Sequence, residues 1–166
     1  MRTGERVQVC RTGSAGLIGD TRGIDPTRVN YGVPDVNFFD PATGLISRGP
    51  PMSYARWYGS VIPLADRRVL AVGGIDGNGV GSSVPEIYTP GQGWKSLPGI
   101  GGWPTDFYYP RGFLAPNGRV IIVGDNRIFS IDTEAPSMTQ IGTLPTTISW
   151  MMPWAMFDRG KVFLVA

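Results

Sequence analysis

The chain has 166 residues, a formal net charge of +2, 24 glycines, 15 prolines, one cysteine and no histidine, and 17% of its residues are charged. Glycine plus proline at roughly twice the usual share, with charge below the usual quarter or so, excludes a long-helix architecture and favours short strands joined by turns. The missing imidazole excludes Ser-His-Asp and Cys-His nucleophiles and His-built zinc sites within these residues, and scattered arginines exclude a basic tract for nucleic acid.

In chain order, "MRTGERVQVC" carries charge but no apolar core of a leader, so no secretory signal is visible, and the lone Cys10 leaves the redox compartment open. Residues 14–21, "SAGLIGDT", read as a weak copy of a plan that is clearer downstream, with Gly19 matched to Gly73. The plan is a polar turn, a basic residue, an apolar run and terminal small residues. Its clear copies are "ADRRVLAVGG" (65–74), "PNGRVIIVGD" (116–125) and "DRGKVFLVA" (158–166). Val69 to Val120 is a step of 51 residues and Val120 to Val162 a step of 42.

A second segment follows each copy, an aromatic or aliphatic strand, a turn and a polar hairpin: "VNFFDPATGLISRGPPM" (36–52), "PEIYTPGQGWKSLPGI" (85–100) and "RIFSIDTEAPSMTQIGTLP" (127–145). Proline and glycine in "DPATG" and "TPGQG" reverse the chain between antiparallel strands. Each unit therefore supplies about four strands, and self-similarity at this spacing predicts an all-β propeller of about three four-stranded blades. The expected blades are 1–52, 53–104 and 105–148, with the start of another at 149–166. "VLAV" and "VIIV" are continuous apolar runs, as expected for strands covered on both faces. Closed propellers have four or more blades, so the chain reads as part of a longer propeller whose remaining blades are its partners.

Between these segments lie residues that bear on chemistry. "GGIDGNGVGSS" (73–83) lacks the Lys-Ser/Thr of a phosphate loop and offers too few oxygen ligands for calcium; it reads as a rim loop, with Asp76 as a minor specificity element. "YARWYGS" (54–60) places Arg56 and Trp57 as blade-packing residues beside Tyr58, which reads either as a core aromatic or as a chemical group. Tyr108, Tyr109 and Arg111 recur at the next blade start, in packing roles or with Tyr109 facing substrate. The stretch "SWMMPWAMF" (149–157) contains a proline and falls far short of a bilayer's span, so no membrane crossing is expected.

"VGG" after an apolar strand, then "EIYTP" and Trp94, resemble kelch repeats. More narrowly, "PPMSYARWYGSVIPLADRRVLAVGG" and "DFYYPRGFLAPNGRVIIVG" resemble the galactose oxidase and glyoxal oxidase group of copper-radical oxidases, over most of residues 14–166. That resemblance implies a secreted or cell-envelope protein that oxidises a small alcohol, aldehyde or carbohydrate with dioxygen, releasing hydrogen peroxide. It implies a copper held by two tyrosines and two histidines, one tyrosine being joined through a thioether to a cysteine. Tyr58 stands where the modified tyrosine would be, and Cys10, 48 residues earlier, is its implied partner or else a small unpaired thiol. Where the family places a stacking tryptophan after the paired glycines, this chain has Ile75 and Asp76, so the ring of Tyr58 is expected to be covered differently. No histidine is present, so the copper site is expected to be incomplete in this chain and the segment inactive alone, with the remaining ligands beyond Ala166. The alternative from the residues is a propeller without redox chemistry that binds protein or carbohydrate.

Overall fold

The computed structural model describes residues 7–9, 32–76, 78–100, 108–147 and 152–165. Among these the chain is all-β, with thirteen strands in four antiparallel sheets. The first sheet holds β1 (Val7–Val9), β2 (Asn37–Asp40) and β3 (Leu45–Arg48) in that order. The second runs β4 (Ser60–Pro63), β5 (Val69–Val72), β6 (Glu86–Thr89), β7 (Gly93–Ser96), and the third β8 (Arg111–Leu114), β9 (Val120–Gly124), β10 (Arg127–Asp132), β11 (Ser137–Thr143). The last is the hairpin β12 (Trp154–Asp158) and β13 (Lys161–Leu164). No helix of the described residues is long and apolar enough to cross a membrane.

The repeat is visible in the hydrogen bonds of its turns. Leu64 N donates to Arg68 O at 2.8 Å, and 51 residues later Ala115 N donates to Arg119 O at the same 2.8 Å. Inside these turns Asp66 accepts from Arg68 N at 3.1 Å and Asn117 from Arg119 N at 3.2 Å, short side chains standing in for a backbone carbonyl. Both turns need a left-handed residue: Gly118 meets the demand at φ 82°, whereas Arg67 meets it at φ 71° with a side chain attached. Gly160, at φ 72°, fills the same place between β12 and β13.

Register settles the equivalences. Val69 pairs with Tyr88 and Val120 with Ile131, and in the first sheet the matching partner of Phe39 is Val7. The weak copy expected at 14–21 therefore does not supply this strand; Val7–Val9 does, because its apolar-polar-apolar pattern suits a sheet position next to β2. Residues 14–21 and Cys10 themselves lie outside the described residues.

Successive sheets lean on one another through one core. Ile62, Leu70, Val72 and Ile87 from the second sheet, with Leu97 just past its last strand, join Val120, Ile122, Phe129 and Ile131 from the third in a single buried cluster. The first strands β4 and β8 come closest across the two sheets, and Gly112 makes this approach possible: a Cβ there would lie 2.7 Å from Ile62 Cδ1 and 2.6 Å from Ile122 Cδ1. On one side Val36 and Phe38 of the first sheet's segment pack with Ala71 and Trp94. On the other, the rings of Phe113 and Trp154 meet at 5.6 Å, so β12 follows β8 as β8 follows β4. Sheets that approach at their first strands and repeat in this way form a propeller-like array of roughly three blades.

Candidate functional site

The segment leading into β4 sits over the end of β5, tied by Trp57 N to Ile75 O at 2.8 Å and Ile75 N to Trp57 O at 3.0 Å. Gly74 is required for this approach: it has φ 81°, and a Cβ would lie 2.9 Å from Gly59 N and 3.0 Å from Trp57 O. In the next blade Asp125 occupies the matching place, at φ 54°.

Beneath the segment lies a buried ion pair. Arg56 is 1% exposed and Glu86 is fully buried, with Nη2 and Oε2 at 3.2 Å. Arg56 also donates to Gly73 O at 2.7 Å and Val84 O at 2.5 Å. Glu86 accepts from Ser53 N at 2.7 Å and Tyr54 N at 3.1 Å, and Ser82 Oγ donates to Ala55 O at 2.6 Å. These bonds to Nη1, Nη2 and both carboxylate oxygens offset much of the cost of burying the two charges. The pair fixes residues 53–56 to the start of β6 and so sets where the next two residues project.

Those residues begin an aromatic stack. Neighbours in a regular strand point to opposite faces, yet the rings of Trp57 and Tyr58 lie 3.8 Å apart at 18°. Tyr58 manages this by adopting φ 60°, an uncommon backbone for an aromatic residue. Tyr109, at the same place in the next blade 51 residues on, does likewise at φ 45°, and its N donates to Tyr58 O at 2.8 Å. Its ring covers the other face of Tyr58 at 4.6 Å and 25°. Tyr108 meets Trp57 and Tyr58 edge-on, at 5.7 Å and 6.1 Å.

Tyr58 is thus held between two rings, while Tyr109 remains 40% exposed. Partial burial, then the neighbouring Tyr58 phenol through its charge and its hydrogen bond, push the ionisation of Tyr109 above the ordinary phenol range. The two rings face each other nearly in parallel, an arrangement suited to moving an electron between them.

Of the residues singled out from sequence, Tyr58 and Tyr109 are brought together; Asp76 is placed in a different setting. Its Oδ1 accepts from Asn78 N at 2.8 Å and Val80 N at 2.9 Å, and those backbone donors, Val80 first, hold its carboxyl below the usual range. It lines an open hollow of about 440 Å3 with Ser53, Tyr54, Ser82 and Ser83. Among the described residues no three His, Cys, Asp or Glu side chains converge as a metal site. Glu86 escapes sequence reasoning because one carboxylate opening an apolar strand carries no sign of its distant partner. The stacking of Trp57 on Tyr58 escapes it because the sign of φ is not written in the pattern.

Fold and site together define an all-β, propeller-like protein whose adjacent blade starts close on an aromatic stack. No family model matches the chain, and no curated protein matches it.

Proposed function

We propose that this chain is the tyrosine-bearing part of a propeller oxidase of the galactose oxidase and glyoxal oxidase kind, with Tyr58 as its redox tyrosine and a small alcohol or aldehyde as substrate. The observation that supports the reading is the setting of Tyr58: both faces of its ring are covered, one by Trp57 and the other by Tyr109. Stacking shields a ring from water and from side reactions while leaving its oxygen at the edge of the stack. Trp57 and Tyr109 do here what a tryptophan after Gly74 would otherwise do.

A resident copper does not fit the residues of this chain by themselves. Tyr58 and Tyr109 offer phenolic oxygens, no histidine exists in the sequence, and no acidic or thiol cluster lies among the described residues. Imidazole donors suited to copper would have to come from outside these 166 residues. Within the chain, Arg56 and Glu86 position the segment, and Trp57 and Tyr109 cover the ring. Cys10, the partner for a thioether to Tyr58, lies outside the described residues.

The absence of imidazole favours a second reading, a propeller that binds protein or carbohydrate without redox chemistry. The full-length protein, expressed with Cu(II) and supplied aerobically with a simple aldehyde or alcohol, separates the two. Stoichiometric copper, peroxide release and loss of both turnover and peroxide in Tyr58→Phe support the oxidase. A full-length protein that holds no copper and releases no peroxide leaves the binding propeller.

A further inference from the structure

The contact between Tyr58 and Tyr109 permits a reaction that needs no metal of this chain. We infer that these two tyrosines form an oxidative coupling site, at which a one-electron oxidant joins the two rings through a carbon-carbon bond between their ortho positions. The rings are offset-stacked, 4.6 Å between centroids and 25° from parallel, and a 2.8 Å backbone hydrogen bond pins one residue to the other. Tyr109 is 40% exposed and open to an oxidant in solution, whereas Tyr58 is covered on both faces and reacts through its neighbour.

The oxidant is hydrogen peroxide turned over by a haem peroxidase. Each phenol loses one electron and its hydroxyl proton to become a phenoxyl radical; the two radicals form the new carbon-carbon bond. Each ortho carbon then gives up its hydrogen as a proton, restoring both hydroxyls and both aromatic rings. The peroxide O–O bond breaks, and the two electrons and two protons reduce it to two molecules of water. Tyr108 is a poor partner because it meets Tyr58 edge-on, at 68° and 6.1 Å. Tyr54, though 37% exposed, makes no ring contact with this stack among the described residues.

The test treats the chain with a haem peroxidase and limiting peroxide, digests it, and identifies linked peptides by mass spectrometry and dityrosine fluorescence. Expected is an intramolecular link between the peptide containing Tyr58 and the one containing Tyr108 and Tyr109, lighter than their sum by one hydrogen molecule, with fragmentation placing the bond at Tyr109. Tyr58→Phe and Tyr109→Phe, which keep the stacked rings, should each reduce that product to background, and Tyr54→Phe should leave it unchanged. Links spread among exposed tyrosines of different chains, a bond at Tyr108, or oxidation confined to Trp57 would overturn the inference. Because the oxidant is added, the result does not depend on whether the full-length protein is a copper oxidase.

Discussion

Replacing Glu86 with glutamine tests whether the buried pair holds the segment that carries Trp57 and Tyr58. The change keeps the shape of the side chain and an acceptor for Ser53 N or Tyr54 N, but removes the charge facing Arg56. Arg56 is 1% exposed, so its guanidinium cannot turn to water to replace the lost carboxylate, although the carbonyls of Gly73 and Val84 still accept from it. Breaking one side of a buried pair costs about 3–5 kcal/mol, a large part of the roughly 5–15 kcal/mol that stabilises a domain. With a urea dependence of about 2 kcal/mol per molar, the unfolding midpoint should fall by roughly 2 M. Urea titration followed by tryptophan fluorescence reads this, since Trp57 reports directly on the stack. The double variant Arg56→Met with Glu86→Leu should recover most of the loss, as apolar replacements of a buried pair are often neutral. A Glu86→Gln chain within about 0.5 kcal/mol of wild type would refute the reasoning, because that is the range of an ordinary surface substitution.

The ionisation of Tyr109, raised above its ordinary 10.0, gives a pH dependence with a definite sign: its contribution to stability is complete below that value and is lost as pH rises through the higher folded-state value. Alkaline melting curves of wild type should fall more steeply than those of Tyr109→Phe, and phenolate absorbance should lose a step above the ordinary phenol range in the variant; equal slopes would contradict it. Gly74→Ala and Gly118→Ala both place a side chain at positive φ, but only the first drives a Cβ against backbone at 2.9 Å, whereas the second meets nothing within 4 Å. Gly118→Ala should cost about 1 kcal/mol and Gly74→Ala clearly more, as read by urea midpoints, with equal losses counting against a close approach. At Arg67, φ 71° carries a strain of about 1–2 kcal/mol, and Arg67→Gly relieves it while adding up to about 1 kcal/mol of unfolded-state freedom. The net gain should be about 0.5 kcal/mol, and a loss of stability would show that the arginine's contacts outweigh the strain.

Much of the architecture follows from local pattern. Continuous runs such as "VLAV" and "VIIV", and turns built on Asp66-Arg67 and Asn117-Gly118, specify hairpins within some twenty residues, so the 51-residue repeat was legible without coordinates. The first sheet is harder to place: Val7–Val9 is three residues long with a polar centre, whereas Gly19, matched to Gly73, points to 14–21 instead. What only the tertiary structure decided is which residues of different blades meet. Arg56 finds Glu86 30 residues away, and Tyr58 finds Tyr109 across two sheets. These meetings depend on how closely β4 and β8 approach and on the sign of φ at two tyrosines, quantities that the hydrophobic period and turn chemistry of the sequence do not encode.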